Sequence, residues 1–130
     1  MKLSSLFTDH MVFQKGETLP VWGWAKAGET ITIQYLPSVG CKNSKQILKS
    51  ITGKNGKWLV NLESMSVSNK SAQLRVISKS GNTIEVNDVL VGEVWLASGQ
   101  SNMELNVQDS ANSQTEIEAA KWPQIRMFTV

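Results

Sequence analysis

Residues 88–104 read DVLVGEVWLASGQSNME. The stretch opens on an apolar, β-branched run, Val89-Leu90-Val91 and then Val94-Trp95-Leu96, which has the make-up of a buried strand. It breaks at Ser98-Gly99-Gln100-Ser101-Asn102, where small and polar residues replace the apolar ones. A strand that ends in a small-residue turn carrying one serine is a way to hold a nucleophile. The strand fixes the backbone, the glycine permits a sharp bend, and the hydroxyl emerges at the strand's carboxyl end. Gly-x-Ser is a short pattern that many turns also contain, so spacing alone leaves a plain turn open.

Downstream of Ser101 the composition changes. Residues 106–114 are polar, rich in Asn, Ser, Gln and Asp, and read as a loop. Ser113-Gln114-Thr115-Glu116 has the form of a capping box ahead of Ile117, Ala119, Ala120 and Trp122. The helix it starts must stop before Pro123, because the residue preceding proline avoids the helical region. Ile125 to Val130 then reads as another strand. Strand, helix and strand make a βαβ unit with a right-handed crossover and parallel pairing. One helix on a two-stranded pair leaves sheet faces bare. Residues 89–130 therefore read as the incomplete start of an α/β domain, to be covered by residues 1–88, by the rest of that domain or by another chain.

Upstream, residues 1–88 read as a separate all-β domain. Leu19 to Ala25 is a strand with Pro20 at its edge. Thr30 to Leu36 alternates, with Ile31, Ile33 and Tyr35 on one face and Thr32 and Gln34 on the other, as a half-buried antiparallel strand does. Lys45 to Thr52 and Trp58 to Leu62 flank Lys54-Asn55-Gly56-Lys57, and Asn-Gly predicts a type I′ hairpin between them. Ala72 to Ser78 and Thr83 to Val86 flank Ser80-Gly81-Asn82, a second hairpin. About six short strands with regular turn signals suggest an antiparallel β-sandwich rather than a barrel. The fold class expected is mainly β: a sandwich at 1–88 followed by the first βαβ unit at 89–130.

Composition narrows the functions. The chain has 130 residues, 41% of them hydrophobic, and a net charge of +2. Without a run of Lys or Arg, that charge gives no argument for nucleic acid. No segment approaches the roughly 18 apolar residues of a spanning helix, so no membrane partner is expected. The N-terminus has no long apolar core and is not a signal peptide as it stands. Cys41 is the single cysteine and His10 the single histidine, so no intrachain disulfide forms and no metal site is expected.

Val91-Gly92-Glu93-Val94-Trp95 followed by Gly99-Gln100-Ser101-Asn102-Met103 closely resembles the start of the catalytic domain of sialate O-acetylesterases, carbohydrate esterases of the SGNH (GDSL-like) hydrolase superfamily. Phe7 to Gln14, Val21-Trp22-Gly23-Trp24-Ala25, Ala27-Gly28-Glu29 and Gly56-Lys57-Trp58 look like the sandwich that precedes that domain. The resemblance thus covers nearly the whole chain. It implies that Ser101 is the acyl-forming nucleophile, that no cofactor is needed, and that the substrate is an O-acetylated sialic acid or other acetylated glycan. In the superfamily, a late Asp-x-x-His block supplies the base and its orienting carboxylate. The oxyanion donors are the serine's own N–H, a glycine N–H and an asparagine side chain. The later blocks are absent here, and the first block reads Gly-Gln-Ser where the wider superfamily has Gly-Asp-Ser. The resemblance implies a fragment that is inactive alone. Members that harvest host glycans are usually exported, which points to a periplasmic or secreted protein; the residues themselves leave the compartment open.

Each candidate has a plainer role. Ser101 also suits a helix N-cap. Gln100 and Asn102 are candidate substrate-binding residues that could equally brace the turn, and bracing is favoured for Gln100. Ser98 precedes the glycine and faces the strand environment. Glu104 suits a first helical turn. His10 lies upstream of the serine, whereas the family's base follows it, so a locally bonded turn histidine is the better reading. The five tryptophans suit core or inter-domain packing better than sugar stacking, although Trp22 and Trp24 share a strand face. Two other functions stay open: an esterase of acetylated plant polysaccharide such as acetylxylan, and a non-catalytic glycan-binding or scaffolding sandwich.

Overall fold

The computed structural model describes residues 1–129. It divides into two compact units, 1–94 and 95–130. In the first, β1 (Lys2–Leu3), β3 (Leu19–Trp24) and β6 (Lys57–Leu62) form a three-stranded sheet in the order β1-β3-β6. A five-stranded sheet takes β2 (Val12–Gln14), β4 (Thr30–Pro37), β5 (Gln46–Ile51), β7 (Ser68–Ser78) and β8 (Thr83–Gly92), in the order β2-β8-β7-β4-β5. All pairings are antiparallel except β2 with β8.

One core joins the two sheets. Val21, Trp58, Val60 and Leu62 come from the small sheet; Ile31, Ile33, Tyr35, Leu74, Val76, Val89 and Val91 come from the large one. The alternation in β4 is as the sequence implies. Ile31, Ile33 and Tyr35 are fully buried, while Thr32 and Gln34 are half-buried on the other face. Burial of such a row, at about 25 cal/mol per Å² of apolar surface, is what holds the two sheets face to face.

The Asn-Gly signal marks a turn of a different kind from the expected hairpin. β5 pairs with β4 and β6 pairs with β3, so the chain crosses between sheets at residues 52–56. Gly56 has φ +76°, while Asn55 is not in the left-handed region that a type I′ turn requires of both residues. Asn55 instead accepts the Lys57 N–H on its side-chain Oδ1 at 3.1 Å, and the Gly56 N–H reaches the Gly53 carbonyl at 2.9 Å. The second hairpin forms as expected, with Gly81 at φ +95° between β7 and β8.

β8 corrects the expected strand pattern. Residues 83–86 and 89–92 belong to one strand, and the division expected between 88 and 89 falls inside it. Leu74 pairs with Val86 and Ala72 with Val89, so β8 carries one extra residue there. That bulge, with Asp88 at φ +54°, shifts the buried parity from Ile84 and Val86 to Val89 and Val91. In the sequence, the same phase change looks like the end of one strand and the start of another.

The second unit contains a 3₁₀ turn at Ser101–Glu104, another at Val107–Asp109, and helix α1 (Ser113–Ala119). The helix stops ahead of Pro123, as expected. The capping box does not form: Ser113 is already helical, and Asn112, at φ +58°, is the N-cap without a side-chain bond. The expected strand from Ile125 is not formed at 125–129, and its last residue, Val130, lies outside the described residues. Val94-Trp95-Leu96 forms no strand either. A strand exists only through a neighbouring strand's backbone hydrogen bonds, and neither segment pairs into a sheet among the described residues. The βαβ unit is thus represented by its helix.

Candidate active site

Ser101 opens the first 3₁₀ turn. Gln100 before it is extended, at φ −87° and ψ −168°, and its carbonyl accepts the Met103 N–H at 2.9 Å. The Leu105 N–H then reaches the Asn102 carbonyl at 3.3 Å. Gln100, Ser101 and Asn102 are all exposed, and none makes a side-chain hydrogen bond among the described residues. The helix-cap role weighed for Ser101 is therefore not the one it takes: it lies inside the turn and caps nothing.

The glycine of this turn has a steric role. A Cβ on Gly99 would lie 2.6 Å from Met103 Cγ. The Met103 side chain folds back over the glycine, and this closes the bend that presents Ser101. A side chain at position 99 would therefore displace Met103 from this place. The expected holder of the bend, a strand through Trp95, is replaced by irregular chain at 93–99.

In chemical terms the turn offers an exposed hydroxyl with backbone donors beside it. An exposed hydroxyl sits where the first N–H groups of a turn are left without intrahelical partners, the kind of donor that can meet a developing oxyanion. The one histidine, His10, belongs to the other unit.

His10 is held, but by a residue far along the chain and not by its own turn. Its Nδ1 donates to Asp88 Oδ2 at 2.7 Å, and its backbone N–H to the Asn87 carbonyl at 3.0 Å. Asp9 Oδ1 accepts the Asn87 N–H at 2.6 Å. His10 and Asp88 both take positive φ, at 66° and 54°. The bulge in β8 thus aims Asp88 across the β2 edge at His10. Nothing in the sequence flagged Asp88 beyond its place where the alternation of β8 fails.

Glu93, inside Gly-Glu-Val-Trp, is also structural. Lys15 Nζ lies 2.6 Å from its Oε1, and Gln14 Nε2 donates to its Oε2 at 3.1 Å. The Lys15 ammonium, followed by the Gln14 amide, holds the Glu93 carboxyl below its ordinary value. Among the described residues, no cluster of three or more His, Cys, Asp or Glu side chains is placed to hold a metal. Among these residues, too, no helix is long and apolar enough to cross a membrane.

No protein-family model matches the chain. It is 31% identical over 136 residues to a sialate O-acetylesterase of Rattus norvegicus, and 29% identical over 133 residues to that of Homo sapiens. Each match takes in 99% of the chain, yet the chain spans only about a quarter of those relatives, 24% and 25% of their lengths. A solved carbohydrate acetylesterase from Xanthomonas citri superposes with a TM-score of 0.76 at 31% identity, covering 92% of this chain and 26% of that one. Sequence and fold agree: over nearly its whole length the chain is similar to sialate O-acetylesterases and to a carbohydrate acetylesterase.

Proposed function

We propose that the protein is a serine carbohydrate esterase that removes O-acetyl groups from sialic acids, with Ser101 as nucleophile. The observation that carries this is the exposed Ser101 hydroxyl, without a hydrogen bond among the described residues, at the head of a turn over which Met103 folds onto Gly99. Ser101 Oγ attacks the acetyl carbonyl, its proton passes to a base, and the sugar hydroxyl leaves with a proton. Water then releases acetate from the acetyl-serine by the reverse sequence. The base and its orienting carboxylate come from residues beyond these 130, so the chain alone is inactive. Gln100 and Asn102, both exposed beside Ser101, line the substrate side.

The solved relative is named a carbohydrate acetylesterase without mention of sialic acid, which keeps a second substrate reading in play, an ester borne by an acetylated plant polysaccharide. Full-length enzyme assayed on O-acetylated sialic acid and on acetylxylan separates the two. Ser101→Ala in that enzyme is expected to abolish turnover of both substrates and to remove the acetylated protein species seen by mass spectrometry. Full activity in Ser101→Ala would overturn the assignment.

A further inference from the structure

The outward face of the three-stranded sheet carries a row that the esterase chemistry does not use. Lys2 pairs with Trp24, and Trp24 pairs with Lys57, so one exposed indole stands between two lysines on adjacent strands. All three face away from the core, and Trp24 is 38% exposed. Lys2 Nζ lies 5.8 Å from the Trp24 ring centre. Neither lysine has a carboxylate partner among the described residues. Two ammonium groups set one strand either side of an aromatic ring repel each other weakly, and an anion between them relieves that repulsion.

Beside Trp24 lies a hollow of about 360 Å³, bordered by Trp22, Trp24, Asn55, Lys57 and Leu59. That is near the lower end of small-ligand pockets, roughly 300–1,000 Å³. The floor is aromatic and aliphatic and the rim is polar. Trp22 is fixed there by an edge-on contact with Phe7, with ring centres 4.9 Å apart. Asn55 Oδ1 is taken by the Lys57 N–H, which orients the amide and leaves its NH₂ group as a donor. A pyranose has a C–H face that stacks on indole and hydroxyls that accept from an amide. Lys57 adds the demand for a negative charge.

We propose that this face binds a carboxylated sugar residue, stacked on Trp24 with its carboxylate at Lys57. The choice of a sugar as occupant rests on the esterase reading above, whereas the choice of an acidic one rests on the lysine–indole–lysine row. Two sources supply that chemistry: the sialic acid of a sialoglycan and the uronic acid of a plant polysaccharide.

Tryptophan fluorescence of the full chain, titrated with 3′-sialyllactose, a uronate-bearing xylo-oligosaccharide and lactose, tests it. Saturable quenching is expected with at least one acidic sugar, about tenfold tighter than with lactose. Trp24→Ala abolishes it, Lys57→Gln weakens it about fivefold, and added salt weakens it further. Which acidic sugar responds identifies the source. Equal response to lactose, no response to either acidic sugar, or an unchanged titration in Lys57→Gln overturns the proposal. Lys57 is exposed, so that variant keeps the test valid even where Trp24→Ala is unstable. Ser101→Ala binds as the parent does, so loss of the esterase reading and loss of this site are seen separately.

Discussion

Gln14 and Glu93, 79 positions apart, are joined by a hydrogen bond from Gln14 Nε2 to Glu93 Oε2 at 3.1 Å. The same amide accepts the Val94 N–H on Oε1 at 2.8 Å. One side chain at the end of β2 thus ties down the chain where it leaves β8, on the way to Ser101. Gln14→Ala is expected to cost about 1 kcal/mol, the usual net value of such bonds. Hydrogen exchange will report it locally, with the Val94 amide exchanging faster and the β4 amides unchanged.

The Glu93 side of this clamp depends on pH. Lys15 lowers the Glu93 pKa from the ordinary 4.5. A lowered carboxylate contributes stability that is present above its unfolded value and is lost as pH falls through the folded one. Glu93→Gln is therefore less stable than the parent at neutral pH, and the gap closes on acidification below 4.5. The carboxylate is exposed, so the effect is small and shrinks in salt. Urea melts at neutral and acid pH, at low and high salt, check both trends.

Gly23 and Gly99 are expected to respond differently to the same methyl group. At Gly23 a Cβ would overlap the Lys2 carbonyl and come within 2.6 Å of the buried Trp58 ring. Neither backbone nor core indole can yield cheaply, so Gly23→Ala should cost roughly 2–4 kcal/mol. At Gly99 the obstacle is the exposed, flexible Met103 side chain. Gly99→Ala should leave the melting temperature nearly unchanged while lowering esterase activity of the full-length protein, because Met103 swings out and the Ser101 turn loosens.

How far the sequence could be read depends on where each element's stabilising partner lies. The alternation of β4 is a local signal with a buried partner on one side, and it was legible residue by residue. The Gly81 hairpin was legible for the same reason. Asn55-Gly56 gave a true turn signal, but a turn residue does not say whether the two strands stay in one sheet. Val89-Leu90-Val91 was legible as a buried strand. Its membership of the sandwich was not, because the Asp88 bulge inverts the parity that pattern reading relies on. Trp24 could not be told from Trp58, since both stand in strands and only register puts one outside and the other in the core. Around Ser101, the serine, its glycine and Met103 were legible as a motif. Their mutual packing was not.

Tyr35 supplies a prediction at the alkaline end. It is fully buried in the core, and burial pushes its pKa up to about 12, with the neighbouring Cys41 adding to the rise. Its hydroxyl has no hydrogen-bond partner of good geometry. In the unfolded chain the phenol ionises near its ordinary value of 10.0. A raised pKa contributes stability that is complete below the unfolded value and lost as pH rises through the folded one. Parent protein should therefore weaken by about 2 kcal/mol between pH 10 and 12 through this group. Tyr35→Phe should lack that loss and be nearly neutral below pH 9, since it removes a buried hydroxyl without a hydrogen bond of good geometry among the described residues. The chain has one tyrosine, so tyrosinate absorbance reports it alone. Ionisation at the ordinary value in the folded protein, or identical alkaline melts for parent and variant, would show that the core admits water at Tyr35.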